Sequence, residues 1–136
     1  MSRKKRKTKL RKVFGYHQIL DLFDCDPKAV RSIKICYRYL DTLPEMIDTH
    51  KQSPPFIFYT DEKKYPDKAG LSGWVPIVES GISIHTIIPT NFVSIDVYSC
   101  KKFNPKKIKQ FTIKIFKPKK IEEKFFLRGE SYIPPK

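Results

Sequence analysis

No apolar run in this sequence approaches the ~20 residues that a membrane-crossing helix needs. The opening stretch, MSRKKRKTKLRK, has no apolar segment of the kind a secretory signal requires. Cysteine is sparse: Cys25, Cys36 and Cys100 are odd in number, far apart and never in a CxxC pair. That spacing supports neither a disulfide framework nor structural zinc, so no metal is expected and a reducing, cytoplasmic compartment is. Acids are scarce too, 14 against 28 basic residues, for a net charge of +14. Eight of the basic residues crowd into residues 1–12, which contain no acid, so that stretch carries +8 and the rest of the chain +6 (14 − 8). It also lacks any aromatic ring that could stack on bases. Lys117, Lys119 and Lys120, around Pro118, form a second basic cluster that looks like a charged loop. Neither cluster belongs to a recognisable nucleic-acid motif. Residues 1–12 therefore read as a solvated, disordered basic tail, and neither nucleic acid nor a membrane is an expected partner.

What is present suits one domain over residues 13–136. Apolar residues make up 40% of the 136 residues and aromatics 13%. A chain of this size buries roughly two thirds of its unfolded surface, enough for a core without covalent staples. Residues 16–23 read as a strand. Asp26 and Pro27 supply a helix start, and Val30, Ile33, Tyr37 and Leu40 follow at helical spacing, with Pro44 kinking or ending the helix. PPFIFYT, GWVPIVE and ISIHTII are strands. FVSIDVYSC alternates most clearly, with Val93, Ile95 and Val97 on one side and Ser94, Asp96, Tyr98 and Cys100 on the other. NPKKIKQFTIKIF fits either period, and Asn104-Pro105 tips it to helix. KIEEKFFLRG is a last strand. The order β-α-β-β-β-β-α-β with short turns implies an α+β fold, an antiparallel sheet with two helices on one face in a two-layer sandwich. Its other face needs a cover, and a second copy of the chain is the expected one, giving a homodimer with an αββα arrangement.

The stretch VESGISIHT, residues 78–86, begins a strand oddly, with Glu79-Ser80-Gly81. Taken singly, Ser80 is a turn residue, His85 a structural group on a strand and Cys100 a small core residue. Their combination with GLSGW, which puts Ser72 eight residues before Ser80, points to more. GLSGW itself is not the G-x-S-x-G elbow of serine hydrolases.

GLSGWVPIVESGISIHT followed by SIDVYSC resembles the small prokaryotic S-adenosylmethionine decarboxylases, self-processing, pyruvoyl-dependent enzymes of polyamine synthesis. The resemblance rests on Ser72-Gly73, Glu79-Ser80, His85 five residues on and Cys100 twenty on. It extends to GYHQILDLFDCD and to Arg128-Gly129, and so covers nearly all of the chain beyond residue 12. It implies that the Ser80 hydroxyl attacks the Glu79 carbonyl and turns the peptide bond into an ester. Loss of the Ser80 α-proton then breaks that ester, and hydrolysis leaves a pyruvoyl group and ammonia. The chain would end as two pieces, 1–79 and 80–136, the second starting with the cofactor. A pyruvoyl ketone joins a substrate amine and accepts electrons as CO2 leaves. By the same resemblance, His85 moves the proton for ester breakdown, Ser72 hydrogen-bonds the ester or oxyanion, and Cys100 reprotonates the substrate carbon.

Two positions depart from the family. Gly81 stands where a His usually follows the cleavage-site serine. Pro89 stands where the family has a Glu that holds the ribose hydroxyls of the substrate. Either another acid replaces it, Asp61, Glu62 or Asp67 in the preceding loop, or the substrate has no ribose. S-adenosylmethionine is the expected small-molecule substrate, with arginine or ornithine as the alternative. A non-processing binding or regulatory homologue is an alternative of another class. Tyr65, Trp74 and Asp21 are the candidate substrate-binding residues. The two rings would suit adenine or a sulfonium, and the acid would suit a substrate cation.

Overall fold

The computed structural model describes residues 13–136; the basic tail expected over residues 1–12 lies outside them. Six strands form one sheet: β1 (Gly15–Phe23), β2 (Phe56–Thr60), β3 (Gly70–Ile77), β4 (Ser80–Ile87), β5 (Phe92–Ser99) and β6 (Lys120–Arg128). Their spatial order is β2-β3-β4-β5-β1-β6, and every neighbouring pair is antiparallel. The helices are α1 (Pro27–Val30), α2 (Ile33–Met46) and α3 (Pro105–Phe116), with a 3-10 turn over Ile88–Thr90. This is the expected α+β architecture. No helix among the described residues is long and apolar enough to cross a membrane.

The alternation of each strand decides which face is dry. Leu20 and Leu22 of β1, Val75 and Ile77 of β3, Ile82 and Ile84 of β4, and Val93, Ile95 and Val97 of β5 are all buried under the helices. From above, Tyr39, Leu40 and Leu43 of α2 and Ile108 and Phe116 of α3 close the core. The Tyr39 hydroxyl reaches Thr112 Oγ1 at 2.8 Å and ties the two helices together, so this buried hydroxyl is satisfied.

One helix was expected after Asp26, and the chain builds two. Asp26 caps α1 by accepting from the Lys28 N–H, and Pro27 opens it. After one turn the backbone leaves the helix, and Ser32 caps a fresh start by accepting from the Ile35 N–H at 3.1 Å. The restart shifts the helical phase. Ile33 and Tyr37, expected on the sheet side, are half-exposed, and Cys36, Tyr39 and Leu43 take their place beside Leu40, which is buried as expected. Pro44 sits inside the last turn, and its carbonyl accepts from both the backbone N–H and the hydroxyl of Thr49. The ambiguous segment after Asn104 is a helix, with the Asn104 side chain accepting from the Lys106 N–H.

Among the described residues, no element covers the face opposite the helices. Three rows of side chains cross it, set by the strand registers. One runs Phe58, Ser72, His85, Ser94, Asp21 and Glu122; the next Phe56, Trp74, Ser83, Asp96, Ile19 and Lys124; the third Pro76, Gly81, Tyr98, His17 and Phe126.

Candidate functional site

The hairpin between β3 and β4 pairs Ile77 with Ser80, which leaves Val78 and Glu79 as a two-residue turn. Such turns favour left-handed dihedrals and residues such as Gly or Asn. Neither Val78 nor Glu79 has positive φ, whereas Ser80 has φ +152°. That is a region open almost only to glycine, worth about 1–3 kcal/mol of strain for other residues. The misfit of the turn therefore falls on Ser80, beside the Glu79–Ser80 bond.

Across the hairpin, Ser80 pairs with Ser99 at the end of β5. This brings the exposed Cys100 beside the bond, and its backbone N–H donates to the Glu79 carbonyl oxygen at 2.8 Å. A donor at that oxygen is placed to stabilise negative charge if the carbonyl is attacked. The Glu79 side chain is held from another direction by His50, through the backbone N–H at 3.0 Å and the ring Nδ1 at 2.7 Å. Desolvation pulls the Glu79 carboxyl upwards, but the hydrogen bonds from His50 outweigh it and hold the group below its ordinary value.

Ser72 and His85 are direct partners on β3 and β4, with Ser72 Oγ 3.0 Å from His85 Nδ1. They are not beside Ser80. His85 lies five residues further along β4, about 16 Å at the usual strand rise. Within one chain, therefore, His85 is not placed beside Ser80. The motif residues form two clusters, Glu79, Ser80 and Cys100 at one end of the hairpin and Ser72 with His85 towards the other.

Between them the open face holds a depression of about 430 Å³ lined by His17, Trp74, Ser80, Gly81, Ser83, Asp96 and Tyr98. Trp74 forms one wall, stacked on Phe56 with ring centres 6.2 Å apart. Its indole covers Gly81 so closely that a Cβ there would stand 2.6 Å from Nε1. Gly81 is thus the counterpart of Trp74: the ring fills the space a side chain at 81 would use. On the opposite wall, Arg128 donates to His17 Nδ1 at 3.1 Å and lies over the Tyr98 ring. A guanidinium has no acceptor, so His17 Nδ1 accepts and Nε2 carries the hydrogen, which it donates to Asp96 at 3.0 Å. The chain of contacts fixes the Asp96 carboxylate at the rim.

Of the other expected residues, Asp21 lies on the open face in the row of Ser72 and His85. Burial, then the charges of Glu122 and Asp96, push its carboxyl above the ordinary value, against a smaller pull from Lys124. Tyr65 sits half-exposed in the β2–β3 loop and lines neither the depression nor the neighbouring hollow around Phe56, Phe58 and Ser72. Pro89 falls within the 3-10 turn, so no carboxylate stands there. Asp61, one candidate replacement, accepts from the Lys63 N–H in its own loop. His17, His50 and Asp96 were not singled out from spacing. Asp96 was legible only as a polar position on β5, while His50 carries no local signal because its partner is 29 residues away.

Residues 16–129 match the family model described as S-adenosylmethionine decarboxylase. An S-adenosylmethionine decarboxylase proenzyme of Clostridium botulinum (strain Hall) is 33% identical over 120 residues, covering 88% of this chain and 97% of the relative. The proenzyme of the same name from Pyrococcus abyssi is 33% identical over 95 residues, covering 68% of this chain and 63% of that protein. Among solved structures, the adenosylmethionine decarboxylase from Aquifex aeolicus shares the fold, with a TM-score of 0.72 at 24% identity over 87% of this chain and 92% of that one.

Proposed function

The chain belongs to the S-adenosylmethionine decarboxylase family, a family of carboxy-lyases, and on that premise we propose that it cleaves itself between Glu79 and Ser80 and decarboxylates S-adenosylmethionine. The single observation that carries this reading is the strained φ of +152° at Ser80, beside a Glu79 carbonyl that already accepts from the Cys100 N–H. Attack by the Ser80 hydroxyl on that carbonyl relieves the turn, because the strained peptide becomes a freer ester. Charge forming on the carbonyl oxygen meets a donor already in place. Ester breakdown then needs a base for the Ser80 α-proton, the role we give to His85 with Ser72 beside it.

The residues present fit a pyruvoyl group at position 80: the serine stands at the rim of the depression, with Cys100 at its back. When formed, that group supplies a carbonyl that binds a substrate amine and withdraws electrons. The chain's own residues do the rest. Trp74 and Tyr98 offer ring faces to an adenine or a sulfonium, Asp96 and Asp21 favour positive charge on the substrate, and the Cys100 thiol is the proton donor to the substrate carbon. The product would serve as the aminopropyl donor for spermidine synthesis. The exposed thiol of Cys100 and the two buried ones suit a reducing cytoplasm.

His85 reaches Ser80 only if two copies meet. The open face exposes Phe58 (69%), Phe56 (47%), Trp74 (47%) and Phe126 (43%), a large apolar surface for a lone chain. Two copies packed face to face, in an αββα homodimer, would cover it. A two-fold axis between the clusters would bring the Ser72–His85 pair of one copy onto Ser80 of the other. We read residues 13–136 as one domain of this dimer.

A basic amino acid is the second substrate reading. It is favoured by Pro89 in the 3-10 turn, where a ribose-binding acid is missing, and by Asp96 at the rim. The test is a denaturing gel with a CO2-release assay on carboxyl-labelled S-adenosylmethionine, arginine and ornithine. Two chains of roughly 9 and 7 kDa (16.1 kDa over 136 residues, about 118 Da per residue) and release from S-adenosylmethionine are expected. Release from arginine or ornithine alone moves the substrate, and a chain that stays whole and inert rejects the reading in favour of a non-processing homologue.

A further inference from the structure

His50 belongs to the loop between α2 and β2, far in sequence from Glu79 and Ser80. This loop runs back along the end of the scissile hairpin. Lys51 bridges to Ile77, and the Gln52 N–H donates to the Pro76 carbonyl at 2.9 Å. His50 then meets the turn itself with three groups. Its carbonyl accepts from the Val78 N–H at 2.8 Å, its N–H donates to Glu79 Oε1 at 3.0 Å, and its ring Nδ1 lies 2.7 Å from Glu79 Oε2. One residue therefore engages both carboxylate oxygens of Glu79 and the backbone of Val78. The Glu79 side chain is only 12% exposed, while the His50 ring is 71% exposed. The ring's evident task is the contact it makes, not core packing. The same loop is tied to the far side of the site, where Lys101, next to Cys100, donates to the Asp48 carboxylate and carbonyl at 2.6 and 2.8 Å.

Nothing inside the turn explains why its geometry stays strained. It has no glycine and no left-handed residue before Ser80, so rotation of the Glu79–Ser80 peptide would relax it. Strain of this kind persists only where the surroundings over-determine the backbone. Glu79 is held at its carbonyl by Cys100 and at its carboxylate by His50, two anchors from different parts of the chain. With both in place the carbonyl cannot turn away from Ser80.

We propose that His50 is a positioning residue for self-cleavage: by gripping the Glu79 carboxylate it holds the acyl side of the scissile bond and keeps the strain on Ser80. The inference rests on the reading that the Glu79–Ser80 bond is cleaved. His50 touches no reacting atom, and its effect falls on the rate of processing.

The experiment follows conversion of freshly translated full-length chain into two pieces by mass spectrometry, for the wild type, His50→Ala and His50→Asn. Asparagine places an amide N–H where Nδ1 stands, so it keeps the grip without the ring. The expected result is cleavage slowed at least about tenfold in His50→Ala, since misplaced reacting groups cost this much or more, and recovery to within about threefold of wild type in His50→Asn. Cleavage of His50→Ala at the wild-type rate overturns the inference and leaves the reading of the bond intact. Equal slowing in both variants also overturns it, because a general loosening of the loop would then be the cause. A wild-type chain that stays whole overturns the reading and the inference together.

Discussion

Ser72 Oγ and His85 Nδ1 stand 3.0 Å apart across β3 and β4, and both lie five strand positions from the hairpin end that holds Ser80. The spacing that marks this pair in sequence does not bring it beside Ser80 in one chain. The separation follows from strand geometry, since residues on one β-strand recede from each other at about 3.3 Å per position.

That separation predicts complementation. His85→Ala and Ser80→Ala chains should each fail to cleave alone. Co-expressed with different tags, they should form mixed dimers in which the Ser80 of the His85→Ala chain meets an intact His85. Cleavage of the His85→Ala chain, seen by tag-specific blotting, is the expected outcome. No cleavage in isolated mixed dimers would mean that the two clusters do not act across an interface.

The strain at Ser80 predicts an unusual order of stabilities. Ser80→Ala and Ser80→Gly both remove the attacking hydroxyl, so neither cleaves. Alanine keeps the backbone misfit at φ +152°, and glycine relieves it. After allowing for the extra freedom of glycine in the unfolded chain, Ser80→Gly should be the more stable by about 1 kcal/mol, or about 4 °C in melting temperature. Equal melting points would place the strain elsewhere.

Trp74 is the only tryptophan, which makes its seat over Gly81 easy to watch. Gly81→Ala puts a methyl 2.6 Å from the indole Nε1, too close for both to stay. The ring should swing off Gly81, the emission maximum should move, and a soluble quencher should reach the indole more readily. Since the same ring walls the depression, the KM for the substrate should rise more than kcat falls. An unmoved emission spectrum would contradict the close packing.

The three thiols should separate cleanly. Burial pushes Cys25 up to about 12, with Asp24 and Asp26 adding to it, and burial alone does the same to Cys36. At pH 8 only about one in ten thousand of such thiols is ionised, and both are out of reach of reagent. Iodoacetamide should label Cys100 first in the folded protein, and Cys25 and Cys36 only after unfolding, as read by peptide mass spectrometry. Early loss of Cys36 would mean that the core opens far more readily than its packing suggests.

Much of the fold was legible because it follows from local pattern. FVSIDVYSC alternates, so β5 buries Val93, Ile95 and Val97 as expected, and Asn104-Pro105 starts α3 as expected. The misplaced face of α2 had a local cause as well. Ser32 could have been read as a second cap, but the run Val30, Ile33, Tyr37 and Leu40 hid it behind an unbroken period. The site was legible in its residue types and opaque in its geometry. The family resemblance named Ser72, Glu79, Ser80, His85 and Cys100 as candidates, yet it could not show which of them touch.

By itself, then, the sequence determined the family, the α+β layering and the chemistry available, because periodicity, capping residues and a spaced motif are written along the chain. Only the tertiary structure decided that Cys100 and His50 converge on Glu79, that Trp74 fills the space over Gly81, and that His85 stands far from Ser80. These depend on strand register and, for His50, on a loop returning from 29 residues away. Such long-range pairings are set by the packing of the whole sheet, where no short stretch of residues can record them.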